Sequence, residues 1–265
     1  MSFQTLKSQV VKEIQMCGHI ASPAIDTTIS PRESMKHAHA WVYFAHGTSA
    51  LNIIRAGLQL TYRSPGDIKS ILDFPCGHGR VMRAFKAEFP AAELIAADLD
   101  KAGVAFCRDT FGATPIFSDR DLSKVVLPHK VDLIWVGSLF THLPETEWRP
   151  FIQFFLDNLN DNGLLIFTYA GHFVRRLVAE GDHDFTEAPE AEKALRGFDE
   201  TGFGFMKYRA YRVDYGRTFC KPEWVNGVLK DFPVLRPVIH MERGWAGRQD
   251  VVVATKDPVF ESTRR

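Results

Sequence analysis

The chain has 265 residues, 45% of them hydrophobic and 24% charged, a length that suits one large α/β domain or a common domain carrying an insertion. Lysine plus arginine and aspartate plus glutamate both number 32, so no overall basic field exists to hold a phosphate backbone, and nucleic acid is disfavoured as a partner. The four cysteines, Cys17, Cys76, Cys107 and Cys220, form no CxxC pair, which speaks against zinc and against a disulfide framework and fits a reducing cytoplasm.

Residues 1–68 lie outside any strand pattern and read as an N-terminal helical cap. The opening MSFQTLKSQVVKEIQM is amphipathic but lacks the apolar run of a signal peptide. No stretch of the sequence reaches the ~20 apolar residues that span a bilayer, so a protein neither exported nor membrane-bound is expected. In KHAHAWVYFAHG, His37, His39 and His46 raise the question of a metal. Residues two apart on a helix share no face, and no cysteine or carboxylate completes the set, so no metal is expected. Trp41, Tyr43 and Phe44 are core candidates, although an aromatic face such as that of Tyr43 could also cover a cationic ligand.

From Ser70 onward, short apolar runs alternate with amphipathic stretches, as in βαβ units that build a parallel sheet. The runs are SILDFP (70–75), AELIAAD (92–98), ATPIFSD (113–119), VDLIWVGS (131–138) and NGLLIFTYA (162–170). Between them GRVMRAFKAEF, KAGVAFCRDTF and ETEWRPFIQFFLDNL have helical spacing. Right-handed crossovers place such helices on both faces of the sheet. A mixed segment, 171–220, follows, with FGFMKYRAYRVDYGRTF predicted as a hairpin around Val213-Asp214. The helix candidate KPEWVNGVLKDF has proline near its first turn, and VLRPVIHME and QDVVVATK form an antiparallel pair across RGWAGR. The expected fold is a doubly wound, Rossmann-like α/β domain over 69–258 with a seven-stranded, mostly parallel sheet, a cap over 1–68 and a lid insertion.

The strongest chemical signal is Asp73-Phe74-Pro75-Cys76-Gly77-His78-Gly79-Arg80, at the junction of the first strand and its helix. Glycines there let backbone approach a ligand, and a helix N-terminus offers unpaired N–H groups. Asp98 ends the next strand, where a carboxylate suits two ribose hydroxyls. Together these residues describe a dinucleotide-like site at the carboxyl edge of a sheet.

This arrangement resembles the class I S-adenosylmethionine-dependent methyltransferases, whose first motif runs acid-x-Gly-x-Gly-x-Gly after strand one. The matching residues are Asp73, Pro75, Gly77 and Gly79, with Pro75 in place of the first glycine and Cys76 packed inside the loop. The resemblance implies S-adenosylmethionine as cofactor, Asp98 with its neighbour Leu99 at the ribose and base, and Asp119 or Asp121 near the adenine amino group. Asp119 is preferred because it directly follows the third strand. The resemblance also implies an antiparallel last strand. A nicotinamide dinucleotide site would need Gly or Ala at position 82, which is Met82, so an oxidoreductase is the weaker alternative. A non-catalytic S-adenosylmethionine-binding module is another.

The fourth strand ends VGSLFTHLP and lacks the Asn/Asp-Pro-Pro-Tyr/Phe sequence of the nucleic-acid amino-methyltransferases, which points to a small-molecule acceptor. Ser138 and His142 stand at that end, and the imidazole could take a proton from a hydroxyl or amine or simply cap the turn before Pro144. Tyr208, Tyr211 and Tyr215 of the insertion are expected on the acceptor side, the alternative being a solvated flap. Arg80, unfavourable at a helix start, is expected to reach an acid.

Overall fold

The computed structural model describes residues 25–35, 40–181, 188–208 and 214–257. His37, His39, Tyr211 and the predicted turn residue Val213 lie outside them. Two compact units divide the chain, Met1–Leu133 and Ile134–Arg265.

In the first unit, helix α1 (Ala40–Leu60) precedes the first βαβ pattern: β1 (Ser70–Asp73), α2 (Met82–Glu88), β2 (Glu93–Asp98), α3 (Lys101–Phe111) and β3 (Thr114–Phe117). β1 is buried at all four positions, as a strand covered on both faces must be. α3 begins at Asp100, whose carboxylate accepts from the Ala102 N–H at 2.9 Å, and ends at Gly112 with φ 69°. α2 starts at Met82 rather than at Gly79 as the spacing predicts, because φ of +72° at Gly79 is incompatible with a right-handed helix. β4 (Val131–Val136) spans the division.

The second unit continues with α4 (Glu145–Asp157), β5 (Leu159–Tyr169), α5 (His172–Ala179), α6 (Ala188–Thr201), the β6 (Phe203–Lys207) and β7 (Gly216–Cys220) hairpin, α7 (Pro222–Leu229), β8 (Leu235–Trp245) and β9 (Gln249–Lys256). The main sheet has seven strands in the order β3-β2-β1-β4-β5-β9-β8, and β6 and β7 form a separate two-stranded sheet. β1, β2 and β3 pair in parallel, whereas β9 runs antiparallel to both β5 and β8. The doubly wound fold with an antiparallel last strand is therefore the one the sequence predicts.

Three details differ from the sequence pattern. β8 continues to Trp245, so the loop to β9 shrinks to 246–248. Ala246 and Gly247 both take positive φ, and the Arg248 N–H donates to the Trp245 carbonyl at 3.1 Å, the arrangement of a primed turn. In the hairpin, Lys207 pairs with Gly216 and the Tyr208 N–H donates to Tyr215, which moves the centre of pairing ahead of Val213-Asp214. The 171–220 segment is also more than a solvated flap. Val178, Ala194, Phe198, Met206 and Phe219 form a buried core of its own. No helix among the described residues is long and apolar enough to cross a membrane.

Packing between α3 and the loop after β1 is tight enough to test. A Cβ at Gly103, inside α3, would lie 2.3 Å from the Gly77 carbonyl oxygen. Gly→Ala inside a helix normally gains about 1 kcal/mol. Here Gly103→Ala is expected to cost roughly 1–3 kcal/mol through overpacking, read as a lower urea midpoint with an unchanged slope. A gain in stability would contradict this packing.

Candidate active site

The loop from Asp73 to Gly79 is fixed from three sides. Gly77 has φ of +50°, its N–H donates to Asp98 Oδ2 at 2.7 Å, and its carbonyl turns toward α3, where the Cys107 thiol lies 3.7 Å away. The Cys76 N–H donates to the Ala97 carbonyl at 3.0 Å, tying the loop to the end of β2. The Phe74-Pro75 peptide is cis. At Gly79 a Cβ would meet the Phe111 ring at 2.3 Å, so glycine is required there by both conformation and space. A Cβ at Gly77, by contrast, would meet nothing within 4 Å, so the backbone there is open to a ligand.

Acids line this loop. Asp98 also accepts from the Asp100 N–H at 2.9 Å; burial raises its pKa while these backbone hydrogen bonds hold it back. Asp73 is 2% exposed, and its Oδ2 has no hydrogen-bond partner. Burial first, and the Asp98 charge second, push its pKa well up, with the Arg80 cation opposing. Burial lowers the Arg80 pKa, while the nearby Tyr43, Glu33 and Asp73 oppose that lowering. Beyond β3, the Asp119 carboxylate is engaged only locally, by the Asp121 N–H at 2.9 Å, whereas Asp121 caps the following turn and pairs with Lys124 at 3.3 Å. Leu99 and Phe117, at the ends of β2 and β3, are large apolar side chains left more than half exposed.

Cys76 is buried and its thiol pKa is raised, chiefly by its contact with Cys107, as suits packing rather than nucleophilic attack. Tyr43 lies in the interior, its hydroxyl donating to Glu33 at 2.7 Å and its ring beside the Arg83 guanidinium at 5.2 Å. His46 Nδ1 donates to the Val42 carbonyl within α1. Among the described residues no group of three His, Cys, Asp or Glu side chains is placed to hold a metal.

In the second unit the end of β4 meets a second group of polar side chains. Ser138, at φ 63°, donates its N–H to Thr168 Oγ1 at 2.9 Å, Thr168 donates to Gln249 Oε1 at 2.6 Å, and Gln249 Nε2 donates back to Ser138 Oγ at 2.8 Å. His142 Nδ1 donates to the Gly216 carbonyl at 2.8 Å, and the Gly216 N–H donates to the His142 carbonyl at 3.1 Å. The Tyr215 ring stacks on the imidazole at 5.0 Å, and the Tyr208 hydroxyl lies 3.3 Å from Nδ1. The structure thus gathers His142, Tyr208 and Tyr215 as the sequence expects.

The family model described as a methyltransferase domain matches residues 71–163. That span holds nearly all of β1, all of β2 to β4, the start of β5 and every acid of the glycine loop. Residues 71–163 thus carry a methyltransferase domain. No curated protein sequence matches the chain. Among solved structures, an S-adenosylmethionine-dependent methyltransferase from Clostridium acetobutylicum ATCC 824 is similar at 14% identity and a TM-score of 0.54, covering 81% of this chain and 92% of its own. Magnesium protoporphyrin IX methyltransferase from Synechocystis PCC 6803, with S-adenosylhomocysteine bound, is 14% identical at a TM-score of 0.52, covering 85% and 90%. A Burkholderia thailandensis 1,6-didemethyltoxoflavin N1-methyltransferase is 12% identical at 0.51, covering 86% and 93%.

The methyltransferase residues fit a cationic nucleoside donor. The unpartnered Asp73 oxygen and the open backbone at Gly77 are what such a group requires of this loop. Gly103, Arg83, Glu33, Phe117 and the Thr168–Gln249 pair are additions that sequence reasoning missed. Only Gly103, a glycine inside a helical pattern, carried a local signal of close approach.

Asp98 and Asp100 make different contacts, Asp98 with the Gly77 and Asp100 N–H groups and Asp100 with the Ala102 N–H. Asp98→Ala should weaken S-adenosylhomocysteine binding by roughly 2–4 kcal/mol in calorimetry, because it removes charge-assisted hydrogen bonds and releases the Gly77 N–H. Asp100→Ala should instead lower the melting temperature through a lost cap worth about 1 kcal/mol, with little change in affinity. Equal losses of affinity would contradict this division.

Proposed function

We propose that this methyltransferase acts on a small molecule, that the glycine loop of the first unit holds the methyl donor, and that His142 of the second unit takes the proton released by the acceptor. The carrying observation is the protonation pattern of His142. A carbonyl can only accept, so the contact with Gly216 puts the proton on Nδ1 and leaves Nε2 with its lone pair. Burial pulls the imidazole pKa below its ordinary value of 6.5, the Gly216 hydrogen bond offsets part of this, and the Arg217 charge adds to the lowering. A neutral imidazole at neutral pH is the form a general base needs.

When bound, S-adenosylmethionine supplies a methyl group on a sulfonium sulfur. Asp98 offers its carboxylate to ribose hydroxyls, Asp119 to the adenine amino group, and Asp73 a buried negative charge to the cationic donor. Leu99 and Phe117 offer apolar surface to the base. In the second unit, Ser138, Tyr208 and Tyr215 orient the acceptor beside His142. Tyr211 belongs to the same reading from the sequence but lies outside the described residues. Two observations support a small acceptor. VGSLFTHLP carries no nucleic-acid amino-methyltransferase sequence at the end of β4, and two fold neighbours are named for small-molecule acceptors.

Transfer of an isotope-labelled methyl group from S-adenosylmethionine into a small-molecule extract tests this directly. His142→Gln should cut the rate by roughly 10²–10⁴ with cofactor affinity unchanged. Because the folded pKa lies below 6.5, the wild-type rate should hold constant through neutrality and fall only on acidification past that lowered value. A full rate in the variant, or a wild-type profile already falling at neutral pH, would remove His142 from the chemistry.

A further inference from the structure

Arg83, on the first turn of α2, is 2% exposed, a position where a cation must be compensated. Its partners are mostly neutral. Nε donates to the Gly79 carbonyl at 3.1 Å, Nη1 to the carbonyls of Asp26 and Thr28 at 2.7 and 2.9 Å, and Nη2 to the Tyr43 hydroxyl at 3.4 Å. The rings of Tyr43, Phe44 and Phe111 surround the guanidinium carbon at 5.2 to 5.3 Å. One fork of donors therefore grips both the glycine loop and the segment 25–35.

That segment holds itself to the same place. Glu33, a buried carboxylate, accepts from the Tyr43 hydroxyl at 2.7 Å and from the Met35 N–H at 2.8 Å. If the segment lifts, Arg83 loses two carbonyl acceptors and Glu33 loses its phenol. An undercompensated buried guanidinium then turns toward water, away from Gly79, whose carbonyl also accepts the Arg83 N–H at 3.3 Å as α2 begins. Loosening either end thus loosens the other.

We propose that Arg83 is a positioning residue that joins the docking of segment 25–35 and the shape of the glycine loop into one equilibrium, so that binding of the methyl donor favours both. This rests on the glycine loop being the donor site. By linkage, what the docked segment contributes to donor affinity, the donor returns to docking.

The test is calorimetry with S-adenosylhomocysteine and backbone hydrogen exchange of residues 25–35, on the full chain. In the wild type, ligand should slow exchange of the segment. Arg83→Lys keeps the charge but cannot span both sets of carbonyls; it should weaken binding roughly tenfold and abolish the ligand-dependent slowing. Glu33→Ala, outside the loop, should do the same by roughly fivefold, and it keeps the test intact if the arginine variant does not fold. Glu88→Gln, which removes the 2.6 Å pair with Arg55 at the other end of α2, should leave affinity unchanged. No binding to the wild type would overturn the donor site itself. Binding by both Arg83→Lys and Glu33→Ala within twofold of wild type, with the segment's exchange unaffected by ligand, would overturn the coupling alone.

Discussion

The peptide at Gly77 is the constraint on which the donor site depends. Its N–H is taken by Asp98 at the end of β2, and its carbonyl faces the side-chain-free surface of α3 at Gly103. A side chain at Gly103 would push the helix away, and loss of the Asp98 carboxylate would release the N–H. With both satisfied, the backbone presents an uncovered face to solvent at the carboxyl end of β1, where a parallel sheet ordinarily receives its ligand. Gly79, at positive φ, delays the start of α2 until Met82 and gives the loop room to turn.

Burial sets the charges of both candidate sites, with opposite consequences. It pushes the Asp73 pKa up and the His142 pKa down, and so favours the neutral form of each in the free protein. For His142 the neutral form is the useful one. For Asp73 the neutral form is what a cationic donor would reverse, since a positive charge nearby returns the carboxyl to its ionised state. A buried acid with one oxygen left without a hydrogen bond is costly to keep for packing alone, and a cationic ligand would offset that cost.

Much of this was legible in the sequence because strand periodicity and the Asp73-to-Arg80 motif are local. Five apolar runs marked the five strands from β1 to β5, and the short gap before QDVVVATK marked the antiparallel pair. The association of His142 with Tyr208 and Tyr215 was anticipated from topology, although its cause, the reciprocal hydrogen bonds between His142 and Gly216, joins residues 74 apart and leaves no sequence trace. Arg83 was hidden for a related reason. On a helix pattern it reads as a solvated charge, and only the return of residues 26–28 shows where its guanidinium is spent. The core of the 171–220 segment was likewise invisible, because Val178, Phe198 and Phe219 come together only after two helices and a hairpin have folded on one another.

The central claim is that the loop after β1 binds an S-adenosyl donor and not a dinucleotide. Equilibrium titration of the purified chain with S-adenosylhomocysteine and, separately, with a nicotinamide dinucleotide measures it most directly. One equivalent of S-adenosylhomocysteine bound, with no detectable dinucleotide binding, is the expected result. Saturable binding of the dinucleotide with none of S-adenosylhomocysteine would contradict the account.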